Sequence, residues 1–152
     1  MKKEKEQYKK LIRSIIVILL VACETIIFMH YWINIYNKYT VFKKKKKGHW
    51  MMAAMYIIYQ IIFLYIFGGL KVGYLKKANI IFSQVLAMLG SNVIIYLQIV
   101  LLSVRFVNIV PMMKATLVDI CVVVIVAIIS ESIFRKLFPP RELIVLYEDY
   151  DP

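Results

Sequence analysis

Four long apolar blocks, separated by short polar or basic stretches, set the pattern of this chain: residues 12–33, 50–67, 78–104 and 111–134. A helix needs about 20 apolar residues to cross the hydrocarbon core of a bilayer, and each block meets or approaches that length. The runs are continuous rather than alternating, and too long for barrel strands. They predict four transmembrane helices. The punctuation agrees with these limits. Gly68-Gly69 closes the second block, because glycine readily takes the left-handed conformation that ends helices. Pro111 suits the first turn of the fourth helix, and Pro139-Pro140 stops it. Tyr31, Trp32, Tyr36 and Tyr39 before the first loop, with Trp50 after it, read as one interfacial aromatic belt.

Composition sharpens this reading. The chain is 62% hydrophobic with a mean hydropathy of +0.73, more apolar than a soluble domain of 152 residues. A net charge of +11 would suggest nucleic acid in a soluble protein. Here the lysines flank apolar blocks, where anionic headgroups attract them, so no nucleic-acid partner is expected. Cys23 and Cys121 lie inside apolar spans and read as small buried residues, not a disulfide or a metal pair. The first block is too long for a cleaved signal peptide, and Tyr31, Trp32 and Ile33 stand where a small-residue cleavage site would lie.

With four spans, both termini share a side. That side carries twelve basic residues and the other carries eight, including five consecutive lysines at 43–47 with Lys38, Arg105 and Lys114. The positive-inside rule then places both termini in the cytoplasm. Residues 1–11 form a basic cytoplasmic N-terminus and 12–138 the transmembrane domain. In 139–152 the character changes: Leu143-Ile144-Val145-Leu146-Tyr147 is a short apolar run rich in β-formers, bounded by turn residues. A lone strand cannot pair its backbone. Residues 139–152 therefore read as the start of a truncated cytoplasmic domain, and the chain as a fragment. The fold class is all-α, a polytopic four-helix membrane protein, with the first strand of a truncated cytoplasmic domain at the C-terminus.

Polar residues inside the spans are the candidate chemistry. Intramembrane carboxylates are expensive and mark function by default. Glu24 and Asp119 are placed to sit at similar depth, with Gln98 of the third span in the same half of the membrane. They could form a polar layer that binds a phosphate-linked lipid headgroup or relays protons. The competing reading, which weighs more, is a neutral carboxyl bonded to Gln or Ser of a neighbouring helix. Glu131 lies four residues before Arg135 and reads as an ordinary ion pair. In the third span Gln84, Met88, Ser91, Ile95 and Gln98 form a stripe. Ser83, Ala87 and Ser91 give the small-xxx-small spacing that lets helices approach closely. Asn92 is a further intramembrane polar candidate. His30 and His49 flank the first loop and are expected to face water. No phosphate-binding glycine loop, HExxH or Cys/His cluster occurs, and no catalytic, cofactor or metal residue is assigned.

The chain resembles the N-terminal membrane region of bacterial polyprenyl glycosylphosphotransferases, which initiate exopolysaccharide and O-antigen assembly. The likeness rests on Glu24 in span one and on Phe67-Gly68-Gly69-Leu70-Lys71-Val72-Gly73-Tyr74-Leu75 after span two. Further matches are Ser83-Gln84 and Asn92-Val93-Ile94-Ile95-Tyr96-Leu97-Gln98 in span three, and Arg105-Phe106-Val107-Asn108 beyond it. The closing element is Phe138-Pro139-Pro140-Arg141-Glu142-Leu143-Ile144-Val145-Leu146-Tyr147. Glu148 departs from the pattern, standing where a glycine is expected in the first turn of the next domain. The resemblance implies four helices ahead of a cytoplasmic Rossmann-like domain and a later catalytic domain. That last domain would move a sugar-1-phosphate from a nucleotide-sugar to undecaprenyl phosphate, with an acidic pair and Mg²⁺. No cofactor is expected in this chain, since Mg²⁺ would belong to the missing domain. Implied partners are the lipid bilayer, undecaprenyl phosphate, polysaccharide assembly proteins and a second copy of the chain. The alternatives are a small four-helix proton-coupled transporter using Glu24, or a membrane adaptor.

Overall fold

A computed structural model describes residues 2–40, 46–72 and 76–137. The apolar run 143–147, taken above as a first Rossmann strand, lies outside the described residues. Among the described residues the chain is wholly helical: α1 (Lys2–Tyr31), α2 (Lys46–Ile66), α3 (Lys77–Ser103) and α4 (Val110–Leu137). All four are long and apolar enough to cross a membrane. They pack as an up-and-down bundle in which each helix touches its two sequence neighbours and α1 closes the ring against α4. Their outward faces are apolar, with Ile18, Ile26, Leu101 and Leu117 each about two-thirds exposed or more. Such faces suit lipid and not water.

The helix limits differ from the hydropathy blocks in instructive ways. The basic start is already helical, so α1 begins at Lys2 and not after residue 11. Charged residues outside the bilayer form helix as readily as apolar ones, and hydropathy registers only the part that lipid demands. Beyond Tyr31 the helix continues through a π-turn (Trp32–Tyr36) and a 3-10 turn (Asn37–Tyr39). Gly68 adopts φ +75°, the expected left-handed stop, and its N–H bonds the Tyr65 carbonyl at 3.3 Å. Gly69 is used differently. A Cβ there would meet Leu64 Cδ2 at 2.7 Å, so it is glycine for close packing. Asn108 Oδ1 accepts the Val110 N–H at 2.9 Å and so caps α4, with Pro111 in its first turn.

Two members of the expected aromatic belt turn into the bundle. Trp32 and Tyr36 are fully buried, in a core cluster with Phe28, Met52, Tyr56 and Ile95. The π-turn adds a residue to one helical turn and turns both rings inward. Tyr36 then stitches the bundle end: its hydroxyl donates to the Asn108 carbonyl and accepts the Met112 N–H, both at 3.0 Å. Trp50 remains exposed, as a belt residue should. His49 is half-buried and accepts the Trp32 indole N–H at Nδ1, at 3.0 Å, so it does not simply face water. Cys121 lies on the exposed apolar face of α4 and not in the core, and Cys23 is half-buried; both are free thiols.

Candidate functional site

The polar residues of the spans converge inside the bundle. Tyr56 on α2 donates its hydroxyl proton to Asn92 Oδ1 at 3.1 Å. The Asn92 amide nitrogen donates onward to two acceptors on α4, Asp119 Oδ2 at 3.1 Å and Thr116 Oγ1 at 3.0 Å. Thr116 passes its own proton back to the Met112 carbonyl one turn earlier, at 2.9 Å. One helical turn away, Glu24 of α1 accepts a hydrogen bond at Oε2 from the Gln60 amide of α2.

The two groups form stacked tiers. Tyr56 and Gln60 lie four residues apart on α2, which puts them one above the other, about 6 Å apart along the helix. On α1, Phe28 stands the same four residues beyond Glu24 and stacks on the Tyr56 ring, centroids 4.5 Å apart and planes within 3°. One tier is thus Phe28–Tyr56–Asn92–Asp119 and the next Glu24–Gln60. The stacked Phe28 and Tyr56 rings place the two tiers on successive turns of the same helices. Toward the first loop the tiers are closed by Trp32, Tyr36 and Met52; toward the termini they meet Leu20 and Leu64, all of them fully buried.

Burial is nearly complete: Glu24 and Gln60 are 0% exposed, Asp119 1% and Asn92 4%. A buried polar atom ordinarily has a partner. Glu24 Oε1, Gln60 Oε1 and Asp119 Oδ1 have none among the described residues. Glu24 Oε1 and Gln60 Oε1 are the second oxygens of the same carboxyl–amide pair.

The sequence-predicted residues are thus sorted. Asp119 and Asn92 are bonded to each other, and Glu24 lies in the adjoining tier. Gln98 is not part of the layer: it accepts from the Tyr59 hydroxyl at 3.1 Å, on a half-buried face of α3. Gln84 bonds the Gly69 carbonyl at 3.4 Å and so ties α3 to the turn after α2. Ala87 and Ser91 are buried, Ser83 half-buried, and Ser91 returns its hydroxyl proton to the Ala87 carbonyl at 2.9 Å. Beside them Gly90 admits the Phe63 ring, which a Cβ would meet at 2.9 Å. Sequence reasoning missed Gln60, Tyr56 and Thr116. Gln60 carried a usable signal, as the lone amide in the middle of the second apolar block. Tyr56 carried none, because tyrosine is ordinary in such a block. Glu131 and Arg135 form the expected i,i+4 pair at 2.8 Å.

A groove of about 550 Å³ lies between α3 and α4. Leu89, Val93, Leu97, Ile109, Met113 and Leu117 are its exposed walls, and Asn92, Tyr96, Met112 and Thr116 its deeper surface. Asn92 therefore borders both the groove and the polar core. Comparison with protein-family models, with curated proteins and with solved structures found no match to this chain.

Proposed function

We propose that the chain is the membrane-anchoring four-helix domain of a bacterial sugar transferase. The whole enzyme would move a sugar-1-phosphate from a nucleotide-sugar to undecaprenyl phosphate in exopolysaccharide biosynthesis. In this reading the bundle sits in the cytoplasmic membrane with both termini inside. The anchoring role rests on one observation, that the polar core is buried and bonded between helices. Its four principal side chains are at most 4% exposed, bonded across all four helices and roofed by packed aromatic rings. Hydrogen bonds between membrane helices fix register and partner. A bundle built this way is a rigid platform. The transferase identity rests on the resemblance of the span-two tail, span three and the Pro-Pro-Arg closure.

The test is to delete the gene and follow radiolabelled nucleotide-sugar into the lipid extract of isolated membranes. Lipid-linked sugar phosphate should fall, and should return when the deleted gene is restored but not with residues 1–152 alone. Unchanged labelling after deletion overturns the transferase reading. A reporter fused at the C-terminus should score as cytoplasmic; an exported reporter reverses the orientation. One observation favours a second reading, proton-coupled transport: the unpartnered Glu24 Oε1 deep in the bundle. That reading requires Glu24→Gln to abolish proton-coupled substrate release from proteoliposomes.

A further inference from the structure

We infer that the groove between α3 and α4 is a binding site for a single anionic phospholipid, its hydrocarbon chain in the groove and its phosphate at the cationic loop end. The inference needs only that the bundle spans a bilayer, and it is independent of the transferase reading.

The groove's chemistry selects a hydrocarbon chain. Its walls are aliphatic and thioether side chains that face the bilayer. The polar groups at its depth are already committed. Tyr96 donates to the Val107 carbonyl at 2.7 Å and Thr116 to the Met112 carbonyl at 2.9 Å. The Asn92 amide nitrogen is spent on Thr116 and Asp119, and its oxygen on Tyr56. A headgroup inserted there would lose water and find little in exchange, whereas an acyl chain loses nothing. The lining runs over residues 89–97 of α3 and 109–117 of α4, roughly 12 Å of helix at 1.5 Å per residue. That is about the depth of the first part of one acyl chain below the interface.

The groove's loop end selects an anion. It finishes at Ile109, the last residue of a loop that begins with Arg105, and Lys114 follows Met113 of the wall. Both cations are exposed. Arg105 lies over the Tyr39 ring at 4.9 Å, and Lys38 lies 5.0 Å from the same ring centre. No aspartate or glutamate occurs anywhere in the sequence between Glu24 and Asp119, so this end has no carboxylate of its own beside the loops. A further sign comes from Val104. It closes α3 in the left-handed region at φ 52°, a conformation costly for a β-branched residue. The turn it makes leads directly into Arg105 and a Phe106 that is 94% exposed. Backbone strain held next to a cation and a bare ring fits a lipid interface.

The experiment uses the whole chain in detergent, with phosphatidylglycerol and phosphatidylcholine of identical acyl chains, read by native mass spectrometry. One phosphatidylglycerol should stay bound under conditions that strip phosphatidylcholine. A cation near an anionic lipid is worth about five-fold in binding. Arg105→Gln with Lys114→Gln should therefore weaken retention about 25-fold, while Lys71→Gln with Lys76→Gln, exposed at the opposite end, should leave it unchanged. Val93→Trp, on an exposed wall position, should abolish retention without unfolding the chain in phosphatidylcholine. Equal retention of the two lipids overturns the site, as do equal losses in the two charge variants. Retention that survives Val93→Trp overturns it as well.

Discussion

Replacing Asn92 with alanine is the sharpest test of the polar core, because one side chain joins three helices. Its oxygen serves Tyr56 on α2, and its nitrogen serves Asp119 and Thr116 on α4. Hydrogen bonds between membrane helices average about 0.6 kcal/mol and reach about 1.7 kcal/mol. Three of them predict a loss of about 2 kcal/mol, with a ceiling near 5 kcal/mol if each is at the upper value. Tyr56→Phe removes one bond and keeps the ring that stacks on Phe28, so it should cost only about 0.6 kcal/mol. The double variant should then lose less than the sum, by a coupling of about 0.6 kcal/mol. Unfolding by titration of a denaturing detergent into mixed micelles is the assay. Trp32, fully buried with its centroid 6.4 Å from Phe28, gives the fluorescence signal close to the affected tier. An Asn92→Ala variant within about 0.3 kcal/mol of the parent, or a coupling of zero, would show that these contacts do not organise the bundle.

Three further outcomes follow from the same packing. Glu24→Gln keeps a polar isostere against Gln60, so its unfolding midpoint should stay near the parent value, whereas Glu24→Leu strands the buried Gln60 amide and should cost about 1–3 kcal/mol. A large loss in Glu24→Gln would mean that the native interaction needs a carboxylate. Gly69→Ala must displace Leu64 and crowd Gln84, so it should destabilise by about 1–3 kcal/mol, with Leu64→Ala in the same chain partly relieving it; a neutral result refutes the close approach. Among the small residues of α3, Ala87→Leu and Ser91→Leu should disrupt folding because both sites are fully buried, while Ser83→Leu should be tolerated at its half-buried position. Size-exclusion profiles in mild detergent separate the three variants, and equal behaviour would remove the assignment of α3's tight face.

The number of helices and their approximate limits were legible because a bilayer imposes a single length requirement on every span. The residues at which local geometry departs from a regular helix were not. Trp32 and Tyr36 read as an interfacial belt from position alone; the π-turn that brings them inside has no compositional signature. Gly68 and Gly69 look equivalent in sequence, yet one is needed for its backbone angle and the other for the space it leaves to Leu64. In the polar layer, Glu24, Asn92 and Asp119 stood out because lipid makes such residues costly. Which of them pair was hidden, since it depends on helix register across a bundle and not on spacing within one helix. The pairing of Glu24 with Gln60, and of Gln98 with Tyr59, exchanges the partners that depth alone suggested.

Register also gives the two tiers a physical purpose. Lipid-facing aliphatic residues discriminate poorly between one helix offset and another, since a slip exchanges one aliphatic contact for the next and lipid chains are as apolar as leucine. Polar tiers do not tolerate the same slip. Moving α2 by one turn would set Gln60 beside Phe28 and Tyr56 at Met52's present level, which takes Gln60 from Glu24 and Tyr56 from Asn92. Two tiers on successive turns of α2 therefore fix its position against α1 and α3 together. The Asn92–Asp119 bond carries the same register across to α4. A bundle locked in this way holds its loop ends in a fixed relation, so the walls of the α3–α4 groove keep their spacing. Asn92 lies both at the depth of that groove and in the polar core, so the bonds that set the register also fix the groove's floor.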